Sequence, residues 1–394
     1  MTTERIDDPG THPTATPEEA GADPDKIDAL LERAHREIDG GLLPSCQVAL
    51  ARHGRLIATR TIGDATPQTR YLVFSCTKVI TAAALWLVIG ERLVGRDTRV
   101  ADVVPEFGTN GKDAVTVEHL LTHTSGFPLA PFSPVDWDDP ERRLQRFAQW
   151  RLGWEPGTRF QYHPTSAHWV LAEILERVTG MDFREFVHSR LTEPFGLQRL
   201  RLGVSEDEQG DIAELVPVGT LPSAEELEAI TGIGGLDPAQ IGDVTEEELL
   251  AFNTPAYRRI GVPAGGAIGT AADMAMFLQA LMENRDDTFA ADVLHAGTAE
   301  VLCDLVDPMV GVASNRTLGL ILAGDDGQSA MRGFGRTVTP AAFGHMGAGG
   351  QIAWADPGTG LSFTYVTNGL DRDPLNMGRR GSSLSNRAGV CAEP

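Results

Sequence analysis

The stretch Leu72-Val-Phe-Ser75-Cys-Thr-Lys78-Val-Ile-Thr-Ala-Ala-Ala-Leu-Trp-Leu-Val-Ile-Gly90 decides how the rest of the chain is read. Three apolar residues lead into Ser75. From Val79 to Gly90 the chain is apolar on every side, broken by Thr81. A helix without a polar face belongs at the centre of a large domain. At about 12 residues the run falls short of the roughly 20 that a bilayer span needs. Its first turn carries a hydroxyl and an amine three positions apart, a spacing that shares one helix face.

That amine is one of only three lysines (Lys26, Lys78, Lys112) among 33 basic residues. With so few, only about 0.1 Ser-x-x-Lys pairs would arise by chance, which gives the match weight as a motif. A buried ammonium is costly, so such a lysine loses its proton or finds a partner. It can then serve as base toward the serine hydroxyl, a role closed to an arginine that stays charged. The two residues alone also fit a capping serine beside a snorkelling lysine.

Upstream, residues 1–22 are polar and Pro-rich and read as a flexible leader without the apolar core of a signal peptide. Asp23 and Pro24 open a helix with the stripe Ile27, Leu30, Leu31, Ala34 and Ile38, stopped by Gly40-Gly41. Ser45–Arg52 and Arg55–Ile62 alternate as two strands around His53-Gly54, an antiparallel hairpin. Downstream, helical patterns dominate residues 91–310, with helices expected over Ala167–Val178 and Ala271–Met282. Residues 205–250 are acidic and turn-rich and read as a surface insertion that shapes substrate choice. Thr317–Ala323, Gln351–Ala355 and Leu361–Thr367 read as strands, with a closing helix near Arg379–Ala388. Strands at both ends imply one α/β domain from residues 23–90 plus 311–394, interrupted by a helical domain over 91–310.

The 394 residues carry 33 basic and 55 acidic side chains, a net charge of −22. Such a surface repels nucleic acid and anionic lipid, so neither nucleic acid nor a membrane is the expected partner, and charge alone says nothing about chemistry. The four cysteines (Cys46, Cys76, Cys303, Cys391) are widely spaced, which fits neither a disulfide framework nor a zinc site. A reduced, cytoplasmic protein is the expectation.

Other nucleophile and cofactor patterns fail. No serine lies in G-x-S-x-G. His119 and His123 have the i, i+4 spacing of metal ligands but lack the glutamate of H-E-x-x-H, so core or capping roles are expected. The Gly-rich run 344–350 leads into a strand, which fits close backbone approach rather than a phosphate cradle. Tyr162, in a loop before the helix at Ala167, could take the serine proton if it lay beside Lys78. By itself such a tyrosine also fits a core position.

Together these residues resemble the serine β-lactamase and penicillin-binding-protein-like superfamily, in its class C β-lactamase, D-aminopeptidase and family VIII carboxylesterase branch. Ser75-Cys-Thr-Lys78 matches S-x-x-K, and His119-Leu-Leu-Thr-His-Thr-Ser-Gly-Phe-Pro128 matches a supporting signature of the family. Trp154-Glu-Pro-Gly-Thr-x-Phe-x-Tyr162 matches the approach to its catalytic tyrosine. Gly265-Gly266 followed by Thr270-Ala-Ala-Asp273 matches a helix start, and His345-Met-Gly347 stands at the third motif, K-T-G in β-lactamases and H-x-G in many relatives. The resemblance implies an α+β, β-lactamase/transpeptidase-like fold: an antiparallel sheet flanked by helices, with an inserted mostly helical domain.

It also implies roles: Ser75 as nucleophile, Lys78 and Tyr162 as bases, the backbone N–H groups of Ser75 and Ala348 as oxyanion hole. His345, Gly347 and His163 are expected to touch substrate, and no metal or organic cofactor is needed. Two departures bear on activity. Pro164 stands where β-lactamases place the Asn of Y-x-N, and His345 replaces the lysine of K-T-G. Both point to a carboxylesterase, with an acyltransferase, a D-amino-acid peptidase or weak β-lactamase, and an inactive binding protein as alternatives.

Overall fold

The computed structural model describes residues 5–8, 10–231 and 244–393. Helix α1 (Pro24–Asp39) starts where Asp23 accepts hydrogen bonds from the backbone of Asp25 and Lys26, and Pro24 fills its first turn. Strands β1 (Ser45–Arg52) and β2 (Arg55–Gly63) form the expected hairpin. His53 (φ 50°) and Gly54 (φ 69°) both adopt the left-handed conformation that a two-residue turn between twisted strands requires. The apolar run forms α2 (Thr77–Gly90), with Thr77 through Val88 buried.

Helices α3 (Ser166–Thr179) and α4 (Ala271–Met282) follow, α3 ended by Gly180 at φ 70° and α4 capped by Thr270. The C-terminal part returns to the sheet with β3 (Ile321–Leu322), β4 (Phe343–Gly347), β5 (Gln351–Asp356) and β6 (Leu361–Thr367), and ends in α5 (Pro374–Ala388). The six strands form one antiparallel sheet in the order β2-β1-β6-β5-β4-β3, built from both ends of the chain. This is the α+β, β-lactamase/transpeptidase-like architecture.

Alternation along β1 divides the core. Cys46, Val48 and Leu50 face α1 and α5, whereas Ala49 and Ala51 face α2 and α4. Side chains of α2 are buried on all sides from Thr77 to Val88, and those of α4 from Ala271 to Leu281, so both helices feed that second core. A short three-stranded ribbon links the layers. Leu72 pairs with Ile268 and Arg201 also pairs with Ile268, so residues 262–267 are held beside Ser75.

Three expectations need correction. Residues 5–8 and 10–22 are tied down rather than free. The backbone of Ala15 and Leu56 is bonded at 2.9 Å, Asp7 bonds Thr59 at 2.8 Å, and His12 lies 3.0 Å from Asp273 in a buried pair. The expected strand Thr317–Ala323 shrinks to Ile321–Leu322, because Gly319 turns at φ 110° and a Cβ there would meet Ala82 at 2.6 Å. Of the segment 205–250, residues 232–243 lie outside the described residues, but 205–218 are built into the body. Asp211 pairs with the buried Arg70 at 2.9 Å, and Val216–Val218 pairs in parallel with Gly369–Asp371. Among the described residues, no helix is long and apolar enough to cross a membrane.

Candidate active site

Ser75 is the one residue between Tyr71 and Val88 that reaches solvent. Its position comes from a single turn of 3₁₀ helix, Phe74–Cys76, ahead of α2. Phe74 takes φ 44°, a costly conformation for a bulky residue, and its ring is fixed edge-on against Phe252 at 5.6 Å. The neighbouring Cys76 turns inward. Its thiol donates to the His345 carbonyl at 3.2 Å and is pushed far up by burial, so it stays protonated.

One turn on, Lys78 is fully buried. Its Nζ lies 2.9 Å from the Pro164 carbonyl, 3.0 Å from the Ala264 carbonyl and 3.2 Å from Ser75 Oγ. Burial, with the nearby Arg316 charge second, holds this amine well below its ordinary value. A neutral amine has two N–H groups and one lone pair. When this amine is neutral its two N–H groups go to the carbonyls, which only accept, and its lone pair is left for the serine hydroxyl. When it is charged it donates to Ser75 Oγ as well.

Tyr162 arrives from the loop before α3. Its hydroxyl donates to Ser75 Oγ at 2.9 Å, and Lys78 Nζ sits 4.9 Å from its ring centre. One serine oxygen is therefore contacted by two groups able to exchange protons with it. A hydroxyl so placed can be deprotonated as it attacks an electrophilic carbon.

Strand β4 closes the other side. A Cβ on Gly347 would lie 2.6 Å from the Val73 carbonyl, so glycine lets the strand approach the Ser75 turn. Ala348 follows at the head of the next turn. His345 is buried against Tyr162, ring to ring at 5.9 Å. Its Nδ1 faces the Met346 carbonyl at 2.6 Å and its Nε2 faces Arg316 Nη1 at 3.3 Å. Because arginine only donates, Nε2 accepts and Nδ1 carries the proton. Burial, then Arg316 and Lys78, push this imidazole well below its ordinary range, so it is neutral.

His163, expected to bind substrate, is corrected. Its Nδ1 meets the Gln161 carbonyl at 2.7 Å, while Nε2 accepts from the Phe127 N–H at 3.3 Å and meets Ser125 at 3.0 Å. Both ring nitrogens are spent holding the loop, and burial lowers it to about 3. His119 closes a capping box with Thr116, and His123 Nδ1 accepts from the His163 N–H at 3.2 Å, as expected of core histidines. Among the described residues, no group of three or more His, Cys, Asp or Glu side chains could hold a metal ion.

One neighbour escaped the sequence reading. Arg316 is buried with its guanidinium 5.5 Å from the Tyr162 ring and 5.3 Å from the Phe160 ring. Its only signal is that it is the single charged residue between Gly311 and Ala323.

The Beta-lactamase family profile matches residues 28–382. The chain is 29% identical over 318 residues to esterase/beta-lactamase LipL of Mycobacterium tuberculosis, covering 78% of this chain and 70% of LipL. It is also 29% identical over 213 residues to esterase EstB of Burkholderia gladioli, covering 47% of this chain and 53% of EstB. Among solved structures, a penicillin-binding-protein homologue from Caulobacter crescentus superposes with a TM-score of 0.74 at 28% identity, over 93% of this chain and 98% of that one. A family VIII carboxylesterase shares the fold with a TM-score of 0.74 at 24% identity, over the same shares of the two chains. With the profile spanning the sheet and the Ser75–Lys78–Tyr162 cluster alike, the chain belongs to the Beta-lactamase family.

Proposed function

We propose that this chain is a serine hydrolase of small carboxylic esters that works through an acyl-enzyme on Ser75. The observation that carries the reading is the convergence of Lys78 Nζ and Tyr162 Oη on Ser75 Oγ, in the one residue of 71–88 that reaches solvent. In the acylation step Ser75 Oγ bonds to the ester carbonyl carbon while its proton passes to the Lys78–Tyr162 pair. Tyr162 then protonates the departing alcohol oxygen as the carbon–oxygen bond breaks. Water reverses the roles: the pair takes its proton, and the acid leaves as Ser75 Oγ regains one. The N–H groups of Ser75 and Ala348 serve as the oxyanion donors, a role worth about 3 kcal/mol per donor. Gly347 supports it by letting β4 pack against the Ser75 turn.

Esters are favoured over β-lactams by two features. The position of the lactam-binding asparagine holds Pro164, whose carbonyl is engaged by Lys78, and His345 is neutral where a lysine would draw a carboxylate. The relative named esterase EstB points the same way, while LipL carries both names. A panel of short-chain p-nitrophenyl esters beside nitrocefin, run on the wild type and Ser75→Ala, tests the reading. Ester turnover well above nitrocefin turnover, lost in Ser75→Ala, is expected. Efficient nitrocefin hydrolysis with weak ester turnover would overturn it.

A further inference from the structure

Around Tyr162 the protein has buried an unusual concentration of basic groups. Lys78 Nζ lies 4.9 Å from its ring centre, the Arg316 guanidinium 5.5 Å, and the rings of His123 and His345 4.8 and 5.9 Å. His163 and His168 stand behind His123, each 5.8 Å from it. All four imidazoles are held neutral, chiefly by burial. Lys78 is pushed toward neutrality as well. One member of the cluster cannot follow them, because a guanidinium does not give up its proton in a protein.

The setting of Arg316 is built for that charge. His345 Nε2 accepts from Nη1 at 3.3 Å, and the guanidinium lies against the Phe160 and Tyr162 rings. Its Nε is buried without a hydrogen-bond partner among the described residues. Burial disfavours its charge, and Tyr162 is the first group to offset this, with Asp307 and the Cys303 thiol after it. No carboxylate among the described residues lies in salt-bridge contact with it. A buried cation without a counter-ion is costly unless something nearby takes up negative charge. Tyr162, whose ring it lies against, is the group able to do so.

We propose that Arg316, from the segment before β3, is a fixed positive charge behind Tyr162 and that it favours the phenolate of Tyr162. Arg316 is a positioning residue here, acting through Tyr162 and not on substrate. What this charge does for catalysis rests on Tyr162 working as a base toward Ser75; the shifted ionisation itself does not. An opposite charge within about 4–6 Å shifts an ionisation by about 1–3 pH units, and low local dielectric strengthens the pull. The same charge repels a proton from Lys78, so the Lys78–Tyr162 pair is kept ready to receive the serine proton.

Composition makes the test direct. The chain has four tyrosines, and burial pushes the hydroxyls of Tyr71, Tyr257 and Tyr365 up. Near-ultraviolet titration of tyrosinate on the intact chain therefore isolates Tyr162. In the wild type one tyrosine should ionise below the other three, and Tyr162→Phe should remove that step. Arg316→Gln keeps a donor for His345 but no charge, and should move the step up by about one unit or more. Arg316→Lys should leave it within about half a unit. An early step unmoved in folded Arg316→Gln would overturn the proposal. So would a wild type with no early step that Tyr162→Phe removes, which holds even if the arginine variants do not fold. No turnover is measured, so an inactive enzyme with the predicted titration would defeat the esterase reading and leave this one standing.

Discussion

The Tyr162 hydroxyl lies 2.9 Å from Ser75 Oγ across a sequence separation of 87 residues. Two segments make that contact: the 3₁₀ turn before α2 and the loop before α3. Each is fixed by buried neighbours, Phe252 against Phe74 and Ser125 against His163. The Ser75–Tyr162 contact therefore depends on packing as much as on the two groups themselves.

Lys78→Arg and Lys78→Met separate charge from proton exchange. Arginine carries a permanent charge and cannot deprotonate, and methionine keeps the volume without an amine. Both should lower kcat on a p-nitrophenyl ester at least about 100-fold, the low end for general-base loss. Steady-state kinetics beside circular dichroism checks this. Because Lys78 is fully buried between two carbonyls, Arg is expected to lower Tm more than Met. A folded Lys78→Arg within about tenfold of wild type would remove Lys78 from the proton path.

Acid should unfold this protein early. His123, His168 and His345 are held well below the ordinary value of about 6.5, and His163 at about 3. The unfolded chain thus takes up protons that the native chain refuses. Stability from these groups is full above about pH 6.5 and is lost as pH falls toward 3, by up to about 1.4 kcal/mol per unit for each group. Tm should drop clearly between about pH 7 and pH 5. His168 has both ring nitrogens buried without a partner among the described residues, so His168→Phe should narrow that drop. An equal drop in the variant would assign the acid sensitivity elsewhere.

Asp211 anchors the 205–218 segment. Its carboxylate bonds Arg70 at 2.9 Å and also pairs with Arg199. Arg70 is buried while Asp211 is partly exposed, so solvent screening reduces the value of the pair. Asp211→Ala leaves a buried guanidinium short of its partner and should cost about 1–3 kcal/mol, a fall in Tm of a few degrees. An unchanged Tm would return this segment to the role of a detachable surface insertion.

What the sequence revealed and what it hid follow from the range of the interactions. Ser75 and Lys78 are legible because one helical turn sets their spacing, and α2 because its apolar surround demands burial. The hairpin at His53-Gly54 is equally local. The strand expected at Thr317 was misread because the left-handed turn at Gly319 answers to Ala82, far away in sequence. Arg316 was missed for a related reason: its role is set by His345, 29 positions on, and by two aromatic rings from another segment. His163 shows the converse error, since adjacency to Tyr162 in sequence sends its side chain toward Ser125 and Phe127.

The central claim is that Ser75 carries the acyl group, and the most direct measurement is to catch it there. Wild type mixed with a p-nitrophenyl ester, quenched in acid within the first turnovers and digested, should yield the peptide containing Ser75 with the mass of the acyl group added. Ser75→Ala should give neither adduct nor turnover. Steady ester hydrolysis by Ser75→Ala, or an acyl group found on another residue, would contradict the account.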